Sequence, residues 1–285
     1  MHALTTWLRI SQLAPAIGAE VLDVDLSQPI DDALFSDIER AWHEHSVLLF
    51  RRQTLDDLQQ VTFAERFGEL AHTLKDYAGG KIHPALMFVT NEKQDGKYVG
   101  ALPDGEMFFH SDMCYRERPI SATMLYAIAV PPEGGNTIFA STYAAYDALS
   151  AELRASIEGR LAVHTYEPGY DTSNVKMAME LPPSPTAHSF AHPIVRMHPA
   201  TGRKALYVNR LMTASIVGLP KQESDALLRQ LFEHQERLEY RYEHRWQVGD
   251  LVIWDNRCTL HARRDFPATH LRKLRRVAVR GERPF

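Results

Sequence analysis

Phe108-Phe109-His110-Ser111-Asp112 and, far downstream, Trp254-Asp255-Asn256-Arg257-Cys258-Thr259-Leu260-His261 are the two stretches whose joint reading decides the fold. If residues 108 to 112 are extended, side chains two apart leave one face of the strand, so His110 and Asp112 can reach a single metal ion. His261 would complete the set. Two neutral imidazoles and one carboxylate suit Fe(II), and a facial arrangement leaves positions open for a co-substrate and dioxygen. On its own, His-x-Asp arises often by chance, and its histidine is then an ordinary hydrogen-bonded residue. Ligands so far apart in the chain meet only if distant strands close on one another, as in a jelly roll.

The stretch Leu271-Arg272-Lys273-Leu274-Arg275-Arg276-Val277-Ala278-Val279-Arg280 follows His261. As a strand it sends Arg272, Leu274, Arg276 and Ala278 to one face. Two guanidinium groups about 13 Å apart, at roughly 3.3 Å per residue, could then serve two different anions around one metal. Arg276 is expected to do so without touching the metal ligands. A basic edge strand that discourages aggregation and a nucleic-acid patch are the alternative readings of the same residues.

Several further motifs occur in order along the chain. They are Gly18-Ala19-Glu20-Val21 with Val24-Asp25-Leu26, Phe63 to Leu70, Gly134-Gly135-Asn136-Thr137, His198-Pro199 with Thr201-Gly202-Arg203, and Tyr207-Val208-Asn209. With the His110, Asp112 and His261 stretches they make the chain resemble the taurine dioxygenase and 2,4-dichlorophenoxyacetate dioxygenase family of Fe(II)/2-oxoglutarate enzymes. The resemblance covers nearly the whole chain. It implies a double-stranded β-helix, mainly β and cupin-like, with helices inserted and packed outside.

The same resemblance implies that His110, Asp112 and His261 ligate Fe(II), and that Arg272 and Thr137 hold the distal carboxylate of 2-oxoglutarate. Arg276 matches the arginine that holds the acidic group of the primary substrate. The implied reaction consumes O2, hydroxylates a small anionic substrate such as an aryloxyalkanoate-like carboxylate or an alkylsulfonate, and releases succinate and CO2. A hydroxylated carbon that bears oxygen, nitrogen or sulfur can then collapse with bond cleavage. Phe109 stands where the family has Trp, and Asn136 where it has Asp, and both are expected to alter the wall of the site.

Composition fits one domain over residues 1–285. The hydrophobic content is 45%, enough for a large core. A net charge of −4 argues against a general nucleic-acid binder. No run approaches the roughly 18 apolar residues of a membrane span, and the N-terminus does not read as a secretory signal. A cytoplasmic enzyme acting as a homo-oligomer, dimer or tetramer, is expected.

Cys114 and Cys258 are the two cysteines. They make no disulfide framework and fit a reducing compartment. Both lie near the proposed ligands, so a structural zinc site is an alternative. Cys258 and His261 would, however, face opposite sides of a strand. A non-catalytic jelly-roll ligand-binding protein is another alternative, although it would have no need of His110, Asp112 and His261 together.

Apolar spacing predicts helices over residues 31–45, 56–67, 143–158 and 221–238, and strands over 46–50, 122–130 and 250–255. His43 and His45 are expected to be solvated or capping. Residues 70–109 read as loops, with His72, Lys75, Tyr77 and Asn91 as candidate substrate contacts. Residues 166–193 are expected, with about 70–105, to cover the site. Tyr166 and Tyr170 would supply an aromatic wall, and Cys114 could line the pocket or serve as a small buried residue.

Overall fold

Two β-sheets face each other, each assembled from strands of both halves of the chain. The computed structural model describes residues 8–72, 83–102, 105–167 and 176–285. The larger sheet runs in the order Ile10–Gln12, Ala19–Val21, Val47–Phe50, Leu251–Asp255, Ile120–Ala129, Lys273–Arg280, Met87–Thr90. The smaller runs Arg241–His244, Thr137–Ser141, Thr259–Arg263, Met107–His110. This is the jelly-roll core expected.

The continuous apolar run Val47-Leu48-Leu49-Phe50 shows why the sheets close. With a side-chain period of two, a strand apolar on both faces must be covered on both. Val47 and Leu49 pack between the sheets with Val252, Trp254, Leu274 and Phe139. Leu48 and Phe50 pack outward with Leu251, Ile253, Ile38, Trp42 and Phe63. Each such side chain contributes about 1.5–3 kcal/mol when fully buried.

Helix Asp32–His45 starts where Asp31 accepts a hydrogen bond from the Leu34 amide and ends at Ser46, whose φ of 63° stops the turn. Helix Asp57–Glu65 begins with a reciprocal Asp56/Gln59 capping box. Its first turn is also gripped by buried Arg275, which donates to Gln60 Oε1, Leu55 O and Asp56 O and pairs with Asp57. Arg275 therefore faces the helices.

Two expectations need correction. The helical stretch 143–158 is two helices, Thr142–Asp147 and Ala151–Ile157, because Ser150 Oγ accepts from the Leu153 amide and starts a new cap. Within 70–109, Met87–Thr90 is a strand that closes the edge of the larger sheet against residues 273–276. A run of four residues carries too little periodicity to be told from loop. Beside the core, His188–Pro193, Leu161–Tyr166 and Thr213–Ile216 form a three-stranded sheet over which helix Lys221–Gln235 buries Leu228, Leu231 and Phe232.

The turn after Leu251–Asp255 is cross-linked from below. His198 Nδ1 accepts from the amides of Ala200 and Thr201, so its proton sits on Nε2 and is donated to Asp255 Oδ2 at 2.9 Å. Arg257 donates to both oxygens of the same carboxylate, at 2.8 and 2.7 Å. His43, in the last turn of helix Asp32–His45, lies half-buried against this pair, with Nε2 3.4 Å from Arg257. His43, His198 and Asp255 have metal-like proximity, yet Asp255 is already saturated by Arg257 and His198. Burial works against ionisation of Asp255, but the Arg257 charge together with the hydrogen bonds from His198 and Arg257 outweighs it and holds the carboxyl well below the usual range.

Asp255→Asn should cost about 3–5 kcal/mol in urea unfolding at pH 7, because it leaves the buried Arg257 uncompensated. A depressed folded-state pKa gives stability that is present above the unfolded value and is lost as pH falls towards the folded one. The gap between parent and variant should therefore be flat above about pH 5 and shrink in acid. A gap that stayed constant down to acid unfolding would contradict this role.

Candidate active site

The antiparallel ladder places His261 directly opposite His110. Their rings lie 4.0 Å apart between centroids, on the side of the smaller sheet that faces the larger one. Asp112 follows the end of strand Met107–His110, and its Oδ1 is 3.9 Å from Nε2 of each histidine. The three ligand atoms lie within 4.8 Å of one another. His110 Nδ1 is 2.9 Å from Phe108 O, which makes Nδ1 the donor and leaves the Nε2 lone pair towards Asp112.

Protonation states match the chemistry of the set. Burial pushes both imidazoles below their ordinary value, against the pull of Asp112. Burial also opposes ionisation of Asp112, but the charges of Arg276, His261 and His110 and the Thr123 hydroxyl hold it well below the usual carboxylate range. Two neutral donors and one anion converging on a point are suited to a divalent cation. Cys114 and Cys258 are buried elsewhere, against Asn209 with Met212 and against Ser46 respectively. Burial pushes the Cys114 thiol up to about 12 and raises that of Cys258. Among the described residues no cysteine joins a metal-like cluster, which removes the geometric basis for the zinc alternative.

The other oxygen of Asp112 is engaged separately. Thr123 Oγ1 donates to Oδ2 at 2.5 Å and Arg276 Nη2 at 2.9 Å. Asn256 Nδ2 donates to Thr123 Oγ1 at 2.9 Å, and Asn256 Oδ1 accepts from the Asp112 amide and from Trp254 Nε1, both at 3.1 Å. Ser111 Oγ reaches Asn256 O at 2.8 Å. Arg276 thus shares the site with a ligand, contrary to the expectation of a cation clear of the metal set. Thr123 and Asn256 escaped the sequence reading. Asn256 stood in the motif around Trp254, but nothing local pointed it at Asp112.

Arg272 lies at the start of strand Lys273–Arg280 and is 2% exposed. Its amide donates to Asn91 Oδ1 at 2.9 Å and its Nε to Gly135 O at 3.2 Å. Among the described residues no carboxylate pairs with it. Burial, followed by the nearby Arg263 charge, lowers its pKa to about 9. Guanidinium stays protonated at neutral pH, so this buried cation favours an incoming anion. Gly135 has φ +65°, a conformation that strains other residues, and a Cβ there would sit 3.0 Å from Arg272 Nε, close enough that the arginine would have to shift. Thr137 is buried, and its Oγ1 accepts from Trp246 Nε1 at 3.0 Å.

Other candidates fall into place around this centre. Asn91 is a structural tie, since its Nδ2 also binds Ala268 O and His270 O. His72 is exposed. Lys75, Tyr77 and Tyr170 lie outside the described residues. Tyr166 stacks on Tyr115 at 4.8 Å, and His188 continues the stack at 6.3 Å from Tyr115. Phe109 packs with Ile138, Ala140, Leu260 and Ala262 on the outer face of the smaller sheet, and Asn136 binds exposed Glu243. Neither replacement lines the side of the sheet that carries the histidines, so the expected change in the wall of the site is not found.

A family model described as taurine catabolism dioxygenase TauD, TfdA family matches residues 9–278. The alpha-ketoglutarate-dependent 2,4-dichlorophenoxyacetate dioxygenase of Cupriavidus pinatubonensis is 35% identical, over 94% of this chain and 96% of its own. The alpha-ketoglutarate-dependent sulfate ester dioxygenase of Pseudomonas putida is 34% identical, over 99% and 92%. Among solved structures, a taurine dioxygenase from Burkholderia xenovorans superposes with a TM-score of 0.81 at 31% identity, covering 98% of this chain and 91% of that one. AAD-2, solved with Mn(II) and N-oxalylglycine, gives 0.80 at 31% identity, covering 97% and 98%. A family match across nearly the whole length, and relatives above 30% identity that are covered end to end, establish that this chain belongs to the TauD/TfdA dioxygenase family.

Proposed function

We propose that this enzyme is an Fe(II)- and 2-oxoglutarate-dependent dioxygenase that hydroxylates a small anionic organic substrate and releases succinate and CO2. The observation that carries the reading is the convergence of His110, Asp112 and His261, with Asp112 Oδ1 equidistant from both imidazoles. Buried Arg272, without a carboxylate partner among the described residues, supports a second, anionic occupant beside it.

In this reading His110 Nε2, His261 Nε2 and Asp112 Oδ1 would hold the iron. When bound, the iron activates dioxygen against 2-oxoglutarate, one oxygen atom ending in succinate and the other in the hydroxylated substrate. Arg272 would grip the distal carboxylate of 2-oxoglutarate through charge-assisted hydrogen bonds, strengthened by its dry surroundings. Because Trp246 donates to the Thr137 hydroxyl oxygen, the Thr137 proton is free to turn towards that same carboxylate. Trp254 and Phe139, packed 4.7 and 6.5 Å from the His261 ring, would keep water from that side.

Arg276 would hold the acidic group of the primary substrate with the nitrogens not given to Asp112. Relatives named for 2,4-dichlorophenoxyacetate, phenoxypropionate and sulfate esters support an anionic substrate, an aryloxyalkanoate-like carboxylate or an alkylsulfonate. Tyr166, stacked on Tyr115, would offer an aromatic wall, continued by Tyr170. Hydroxylation at a carbon bearing oxygen or sulfur would be followed by collapse and bond cleavage.

We infer further that residues 1–285 act as one domain in a cytoplasmic homo-oligomer, dimer or tetramer, with segments near 70–105 and 166–193 covering the site. Among the described residues no helix is long and apolar enough to cross a membrane. Both free thiols are buried, which is compatible with a reducing compartment.

A panel of aryloxyalkanoates, alkylsulfonates and alkyl sulfates, scored by succinate release, should show turnover above the substrate-free background for at least one class. Uniform background across the panel would overturn the substrate reading. His261→Ala should abolish Mn(II) binding by calorimetry without a loss of fold. Arg272→Ala should leave metal binding intact and weaken 2-oxoglutarate by about 2–5 kcal/mol; unchanged affinity would move that role to another cation. Arg276→Leu should raise the KM for the primary substrate far more than that for 2-oxoglutarate, with Mn(II) affinity measured alongside because Arg276 also touches Asp112. Equal losses for both compounds would remove the main support for an acidic substrate.

A further inference from the structure

We propose that Thr123 and Asn256 are positioning residues that present Asp112 to the metal through Oδ1 alone. The inference rests on the metal-site reading above. It follows from hydrogen-bond directions that admit one solution. Asn256 Oδ1 receives the Asp112 amide and Trp254 Nε1, and both of these groups are donors only. The amide cannot therefore be flipped, and Nδ2 must be the atom that faces Thr123. Nδ2 is itself only a donor, so the Thr123 hydroxyl accepts there and its own proton is left for Asp112 Oδ2.

The arrangement is fully buried and rests on the larger sheet. Thr123 is 0% and Asn256 1% exposed. Thr123 pairs in register with Trp254, two residues before Asn256. Ser111 Oγ on Asn256 O ties the segment between the ligands to the same residue. The two histidines come from the smaller sheet, so the carboxylate is held from the opposite wall. With Oδ2 occupied by a hydroxyl proton and by Arg276, Asp112 is unable to swing round and offer both oxygens. A bidentate carboxylate would take one of the positions that the co-substrate and dioxygen require. Thr123 and Asn256 would thus keep coordination positions open, without touching metal or substrate themselves.

Metal-free protein is titrated with Mn(II) by calorimetry, and the visible charge-transfer band with Fe(II) and 2-oxoglutarate is recorded without oxygen. The variants are Thr123→Val, Thr123→Ala and Thr123→Ser, with His261→Ala as the control for the metal site. Losing a hydrogen bond that orients a metal ligand typically weakens the metal about 10- to 100-fold. Thr123→Val should show such a loss and a shifted band, while Thr123→Ser, which keeps the hydroxyl, should stay close to the parent in both. Should Thr123→Val fail to fold, Thr123→Ala against Thr123→Ser reads the same difference. Parent-like affinity and band in the Val or Ala variant, with His261→Ala defective, would reduce Thr123 to packing. Undiminished Mn(II) binding by His261→Ala would instead overturn the metal-site reading.

Discussion

The register that sets His261 opposite His110 is the constraint on which the rest depends. Side chains alternate along a strand, so a slip of one residue would send one imidazole to the outer face and remove it from the centre. The register is secured from the inner side, where Trp254 and Phe139 pack against His261 in the core between the sheets. It is secured from the outer side by Phe109, Ile138, Ala140, Leu260 and Ala262. Beyond the pair the ladder shifts between His261 and Arg263. Regular pairing is thus kept where the ligands need it and relaxed next to it.

Charge is the second organising term. A buried anion is costly unless paired and hydrogen-bonded, and Asp112 has both kinds of partner in Arg276 and Thr123. Buried Arg272 donates to Gly135 O but has no carboxylate partner among the described residues, and it lies near the Arg263 charge. In the low dielectric of the core that imbalance favours a carboxylate over water at the same place. One face of strand Lys273–Arg280 therefore carries a cation paired with Asp112 and, just before the strand begins, one without a carboxylate partner among the described residues. Arg275, between them in sequence, belongs to the helix side.

The turn from Trp254 to Arg257 serves both sheets. Asp255 is fixed from beneath by His198 and Arg257, which leaves Asn256 above it pointing at Asp112 and Thr123. The His198-Pro199 and Thr201-Gly202-Arg203 motifs, distant in sequence from any ligand, acquire a role through this contact. Thr201 N and Ala200 N set the His198 tautomer, and the tautomer in turn sets the direction of the bond to Asp255.

Local periodicity made some of the site legible in the chain, while the roles of the ligands and arginines were implied by the family resemblance. His110 closes strand Met107–His110 and Asp112 lies just past it, so the two-residue repeat anticipated their meeting although Asp112 is not itself on the strand. Arg275 and Arg276 diverge because side chains alternate along a strand, and apolar spacing announces the helices that follow Asp31 and Asp56. Strand Met87–Thr90 is too short to show a period, and at Ser150 a cap outweighs apolar spacing. The contact of half-buried His43 with Arg257 was not legible, since nothing local reveals the buried pair of Asp255 and Arg257 beneath it. By itself the sequence determined which residue types could meet a metal and two anions, because alternation along a strand is a property of the backbone. Tertiary structure alone decided that Thr123 and Asn256 hold Asp112, that Arg276 leans on it, and that Phe109 and Asn136 face away. Those outcomes depend on which strands become neighbours, and long-range pairing is set by the packing of two whole sheets.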